Sequence, residues 1–162
     1  MSNTEGKNES VETIKELIDG IDTCMLATHT SGGGIVSRPM AVQDKDFDGD
    51  LWFMTNRDSD LVEQITADPQ VNVAFEGKGN WVSLRGRAEL VEDPEIKKEL
   101  AGSLTSAFLQ ADPASPEAAL IKVNTEAGEY WSSKGARTVL SMLKARVTGE
   151  RPDAGDMGTV EL

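Results

Sequence analysis

Three tight-turn signals constrain this chain most: Ser31-Gly32-Gly33-Gly34, Asp48-Gly49 and Gly77-Lys78-Gly79-Asn80. Each lies between short stretches rich in apolar and Thr residues. Thr23 to Thr30 and Ile35 to Gln43 flank the first, and Leu51 to Asn56 follows the second. Val71, Val73 and Phe75 alternate with polar partners before the third, and the long run Trp81 to Glu92 follows it. Linkers this short cannot hold a crossover helix, so neighbouring strands must run antiparallel. Leu120 to Asn124 and Glu129 to Ser132 read as a final strand or hairpin. Six or so strands result, and a twisted sheet of that size can remove its edges by closing on itself. The expected fold is mainly β with peripheral helices (α+β), a six-stranded antiparallel barrel.

The helices sit around that sheet. Val11, Ile14, Leu17, Ile18 and Ile21 recur at helical spacing and predict a helix from Ser10, its N-cap, to Ile21. Asp58 to Ala67 predicts a short helix ended by Asp68-Pro69, and Pro94 to Leu109 a third. Ala111 to Glu117, with Pro113 and Pro116, reads as a loop or short helical turn. Ala136 to Val147 predicts a closing helix. One domain over residues 10–149 is expected, with a mobile segment at 1–9 and a polar, loose tail at 150–162.

Charge and cysteine content narrow the function. The 162 residues carry 28 acidic and 16 basic side chains, a formal charge of −12. That balance argues against a phosphate-backbone surface and against anionic lipid, both of which need clustered Lys and Arg. A single cysteine, Cys24, cannot form an intramolecular disulfide, and no Cys/His cluster has zinc spacing. The first ten residues lack an apolar signal core, and no apolar run approaches the roughly 20 residues that span a bilayer. The expectation is a cytoplasmic protein that binds neither nucleic acid nor membrane.

Most catalytic constellations are missing. His29 is the only histidine, so any Ser–His or Cys–His system would have to be built on it, and a strand-end surface role is the plainer reading. There is no P-loop, and no Gly-x-Gly-x-x-Gly opens a helix after a strand. Asp44, Asp46, Asp48 and Asp50 resemble part of a calcium loop, but its twelfth position is Thr55 rather than Glu, which favours a solvated acidic turn. What remains is a set of anion-binding groups. Arg38 stands in a largely uncharged strand and is followed by Pro39; Thr55-Asn56-Arg57-Asp58-Ser59 spans a strand end and a helix start. A phosphate monoester needs a cationic fork, hydroxyl donors and open backbone N–H groups, and these segments offer all three. The alternative is that Arg38 is an exposed strand residue paired to an acid, while Asp58 and Ser59 merely cap a helix.

The order of segments carries a resemblance. Ser37-Arg38-Pro39-Met40 comes first, then Leu51-Trp52-Phe53-Met54-Thr55-Asn56, Ser59-Asp60-Leu61-Val62 and Val71-Asn72-Val73-Ala74-Phe75. Val82-Ser83-Leu84-Arg85-Gly86-Arg87-Ala88 and Glu129-Tyr130-Trp131 follow. Together they resemble the FMN-binding split-barrel superfamily, and within it the general stress protein 26 branch of the pyridoxamine 5′-phosphate oxidase-like proteins, over about Val11 to Gly149. The resemblance implies a split barrel and a homodimer with FMN, or alternatively FAD, at the subunit interface. It places Arg38 on the flavin phosphate, with Pro39 beside it and the main chain of Met40 against the ring. Thr55, Asn56 and Ser59 fall where hydroxyl and polar groups meet the phosphate or ribityl chain. Trp81 falls where relatives reach a neighbouring flavin, and Trp131 matches the aromatic at the ring end; each could equally be core or dimer packing.

Two departures accompany the likeness. Relatives commonly carry a phosphate-binding lysine at the position of Leu61; either Arg57 compensates from nearby or phosphate affinity falls. The Arg-x-His-Asp-Arg type signature of true pyridoxine phosphate oxidases has no counterpart after Trp131, where Ala136-Arg137-Thr138-Val139 offers one arginine and no histidine. This argues against oxidation of vitamin B6 phosphates. The implied activity is a flavin-dependent oxidoreductase acting on a small molecule, with electron donor and acceptor unspecified and no catalytic side chain assigned. A non-catalytic flavin-binding or stress-sensing dimer, and a barrel that has lost its cofactor, are the alternatives. Members of the wider superfamily use F420 or haem.

Overall fold

The structure is a computed structural model that describes residues 2–43, 45–101, 109, 111–133 and 156–162. Two hairpins open the sheet. The strands β1 (Thr23–His29) and β2 (Ile35–Ala41) are joined by a turn in which Thr30 N–H donates to the Gly34 carbonyl. Between β4 (Gln70–Gly77) and β5 (Asn80–Val91), Lys78 and Gly79 both have positive φ, 53° and 77°. A two-residue turn with that pair of angles matches the right-handed twist of its strands. With β3 (Asp50–Asn56) and β6 (Ala118–Ser132) the antiparallel order is β2-β1-β4-β5-β6-β3. β2 and β3 end this path without pairing to each other, so the barrel stays split between them.

Alternation along the strands separates an inner from an outer face. Cys24, Leu26 and Thr28 of β1 are buried, as are Val82, Leu84 and Ala88 of β5. They meet the fully buried Phe53 and Ile121 in one core. Helix α1 (Ser2–Ile18) contributes Ile14 and Ile18 to that core, and α2 (Asp60–Ala67) contributes Leu61 and Ile65. A smaller cluster joins Met54, Leu100, Leu109, Ala118 and Leu120 beside α3 (Pro94–Glu99). Asp93 caps α3, its carboxylate accepting from the N–H groups of Glu95 and Ile96. No helix among the described residues is long and apolar enough to cross a membrane.

The antiparallel, mainly β architecture is as expected, but several elements differ. The two short terminal stretches are one 15-residue strand, β6. Its register against β5 shifts between Arg85, which faces Ala127, and Gly86, which faces Thr125, leaving Glu126 as the extra residue of a bulge. A seventh strand, β7 (Asp156–Glu161), lies inside the stretch expected to be a loose tail and pairs with Ala127–Ser132 of β6. The described residues therefore form seven strands rather than the six expected. Helix α1 starts at Ser2 instead of Ser10; Ser10 is inside it, its hydroxyl donating to the Gly6 carbonyl. The first turns are polar on every side, so no apolar period marked them. Most of the predicted helix beyond Glu99, and all of that at 136–147, lie outside the described residues.

Candidate functional site

Arg38 pairs in register with the buried Leu26, so its side chain leaves β2 on the inner face. There Nη1 donates to Thr28 Oγ1 at 2.8 Å and to the Leu26 carbonyl at 3.4 Å, while Nη2 donates to Gln64 Oε1 at 2.7 Å. The Thr28 hydroxyl in turn donates to Gln64 Oε1 at 2.6 Å. Every acceptor on the guanidinium is neutral, and no carboxylate among the described residues is within ion-pair distance. Burial lowers the pKa of Arg38 from its ordinary value, and Asp60 exerts a smaller pull the other way. The alternative of an exposed, acid-paired arginine is thereby removed. Three of five N–H donors are engaged, which leaves two for an anion.

Helix α2 ties this group to the second segment. Ser59 is its N-cap residue, yet the Ser59 side chain makes no cap hydrogen bond; Ser59 Oγ lies 3.3 Å from Thr55 Oγ1 at the end of β3. The carbonyl of Asn56 accepts from Ser59 N–H at 3.1 Å and closes the turn. The Asp60 and Leu61 amides that open α2 have no partner within the helix, and one turn beyond them stands Gln64, the residue that holds Arg38. One short helix thus links Arg38, Thr55 and Ser59 at one end of the barrel. A guanidinium fork, two hydroxyls and a helix start can together hold a phosphate or carboxylate.

Arg57 does not belong to this group. Its Nε donates to the Pro116 carbonyl at 2.6 Å and its Nη1 pairs with Glu92 at 2.8 Å, so it cannot stand in for the lysine missing at position 61. Leu61 itself is 4% exposed and packs in the core. Lys97 is buried and spends its ammonium on the carbonyls of Ser115 and Ala118. Thr28, Asp60 and Gln64 were missed by sequence reasoning. Asp60 and Gln64 form a polar row beside the buried pair Leu61 and Ile65, and that i, i+4 pattern was the available signal.

The aromatic residues lie elsewhere. Trp81 and Trp131 face each other across β5 and β6 and remain 45% and 39% exposed. With Met25, Phe75, Glu76 and Ser83 they line a cavity of about 360 Å³. Cys24 also borders it, but burial pushes its thiol up to about 12, so it stays protonated and is no nucleophile at neutral pH. Ladder pairing puts Met25, Ala74 and Ser83 on one rung, with Pro39 opposite Met25. Trp81 and Trp131 share that outer face, whereas Arg38 shares the inner face with Leu26. Met40 is buried, its carbonyl accepting from Cys24 Sγ at 3.8 Å. One chain therefore gathers Arg38, Thr55, Asn56 and Ser59 at one end and places Pro39, Trp81 and Trp131 on the other side of the sheet.

The acidic turn is paired within itself and to β6 and α1. Asp48 Oδ1 accepts from Asp50 N–H, Asp50 meets Lys122 and Asn124, and Asp46 meets Lys15. Asp44 lies outside the described residues.

A family model described as pyridoxamine 5′-phosphate oxidase like matches residues 9–153. Among solved structures, the chain is similar to a protein assigned as general stress protein 26 from Jannaschia sp. CCS1, with 26% identity, TM-score 0.74, and coverage of 97% of this chain and 100% of that one. It is also similar in fold to the general stress FMN/FAD binding protein of Xanthomonas citri, with 23% identity, TM-score 0.64, and coverage of 80% and 92%. A curated relative, Protein bli-3 of Neurospora crassa, is 28% identical over 118 residues, 65% of this chain. The matched region spans 56% of that relative's length.

Proposed function

The chain belongs to the pyridoxamine 5′-phosphate oxidase-like family, and from that premise we propose that it is a homodimeric FMN-binding flavoprotein, an oxidoreductase acting on a small molecule in the cytoplasm. The observation that carries this reading is Arg38, a half-buried guanidinium held by neutral acceptors with two N–H groups to spare. Those groups, with the hydroxyls of Thr55 and Ser59, would hold the phosphate of FMN, and the main chain at Asn56 closes the turn between the two hydroxyl residues. Trp81 and Trp131 offer flat, exposed faces suited to an isoalloxazine ring. Their placement on the face opposite Arg38 supports a flavin that lies between two chains.

FMN, when bound, supplies hydride and electron transfer. The protein's share is to fix the phosphate, cover the ring and exclude water; no described side chain of the site stands out as acid or base. FAD is the alternative cofactor, since the Xanthomonas citri relative is named for both. A second reading, a barrel with weakened or lost flavin binding, is favoured by one observation: Leu61 is buried and Arg57 is bound to Glu92, so among the described residues the phosphate end holds one available cation, Arg38.

The absorption spectrum of the purified protein, before and after adding FMN, tests the proposal. Flavin bands that co-elute with a dimer on gel filtration support it, and a colourless protein that takes up no FMN sinks it. Turnover with reduced nicotinamide and a small acceptor separates an enzyme from a sensing module. Gln64 offers a finer measurement. Gln64→Leu removes the acceptor that orients Arg38 and is expected to weaken FMN binding roughly fivefold, about 1 kcal/mol. Riboflavin, which lacks the phosphate, should bind the variant as it binds the wild type.

A further inference from the structure

The outer face carries a second cavity, of about 320 Å³, beside the aromatic one. His29, Gln70, Asn72, Arg85 and Glu126 contribute its polar lining. Ala27, Asn72 and Arg85 stand on one rung of the ladder. His29 and Gln70 lie two residues further along β1 and β4, on the same face. The described pairing of β1 with β4 covers only Met25 to Ala27, so the end of β1 departs from its neighbour here. Ala27 and the backbone at Gly86 also border it.

The Arg85 guanidinium makes no hydrogen bond or ion pair with any described residue. Glu126, the bulge residue on the adjoining strand, is the one carboxylate in the lining, and it is not within ion-pair distance of Arg85. Asn72 is oriented by its bond to Ser83 Oγ at 2.9 Å, which uses one of its two N–H groups. A cavity with an unmatched guanidinium, an imidazole and two amides suits a compact anion seated at Arg85 and away from Glu126.

We propose that Arg85, with His29 and Asn72 beside it, binds the carboxylate or phosphate group of a small molecule. Arg85 is four residues from Trp81 along β5, about 13 Å. The bound molecule can therefore reach the aromatic cavity with its other end. The role of that molecule as the substrate rests on the flavin reading; the anion site does not.

His29 is the only histidine, so the protein gives a single set of imidazole proton signals. Inorganic phosphate and succinate are titrated separately at fixed pH and ionic strength, with chloride as the reference. A saturable shift of the His29 signals is expected with at least one of the two. Saturation by phosphate alone assigns a phosphate ester, and by succinate alone a carboxylate. Arg85→Gln should weaken that binding roughly fivefold or more, whereas Arg87→Gln, two residues along the same strand, should leave it unchanged. A shift no different from chloride, or one that survives in Arg85→Gln, overturns the proposal. FMN uptake by the same samples is read independently: wild type that binds phosphate but not FMN refutes the flavin reading and leaves the anion site standing.

Discussion

Arg38→Ala is expected to weaken FMN binding at least tenfold, read by quenching of flavin fluorescence, with little change for riboflavin. Hydrogen bonds to a charged partner are worth about 1.5–3 kcal/mol, and 1.4 kcal/mol is already a factor of ten. The guanidinium is held by Thr28 and Gln64 before any ligand arrives, so little side-chain freedom remains to be lost on binding. Alanine also strands Gln64 Oε1 with only the Thr28 hydroxyl as partner. Arg38→Lys should recover part of the loss, because it keeps the charge and gives up the planar fork. An unchanged FMN affinity in Arg38→Ala would remove the phosphate from this end of the barrel.

The second large effect concerns stability. A Cβ placed on Gly86 meets the carbonyl oxygen of Asn124, and it lies 3.1 Å from the carbonyl carbon of Asn124 and from Thr125 Cα. These are backbone atoms of β6 at the bulge, so no flexible side chain can yield. Gly86→Ala must open the β5–β6 ladder where its register shifts, at an expected cost of about 3 kcal/mol. For a domain of this size that lowers Tm by roughly 6–12 °C, measurable by circular dichroism. Gly32→Ala, in a turn with nothing within 4 Å of the added carbon, is the control and should stay within about 0.5 kcal/mol of wild type. If both variants melt together, the close approach at Gly86 is wrong.

Two hairpins were legible because their turns are written locally, in residues such as Lys78 and Gly79 that set the backbone themselves, whereas the signal at Asp48-Gly49 does not join paired strands: β2 pairs with β1 and β3 with β6. Strand β6 was not, since Gly128 and the bulge at Glu126 interrupt the alternation that marks a strand. Strand β7 is polar and contains Gly158; it exists because the edge of β6 offers it a partner, a tertiary effect that no local pattern reports. At the candidate site, Arg38 stood out as a charge in an apolar strand. Its partners did not, because Gln64 is 26 positions away in the chain. The direction of Arg57 was not legible for the converse reason: nearness to Ser59 in sequence says nothing about where a side chain points, and this one turns to Glu92. The division of Arg38 and the tryptophans between two faces follows from strand parity, which becomes readable only when the register is known.

The place of β3 in the sheet has a consequence for biosynthesis. Asp50–Asn56, with Phe53 at its centre, finds its ladder partner in residues 118–124. At about 5–20 residues per second, the ribosome needs roughly 3–12 s to deliver that partner. Until then an apolar ribbon with open amides sits on the nascent chain. For that interval the polypeptide is a natural client for a chaperone, and a slowed ribosome downstream of Asn56 would lengthen its exposure to aggregation.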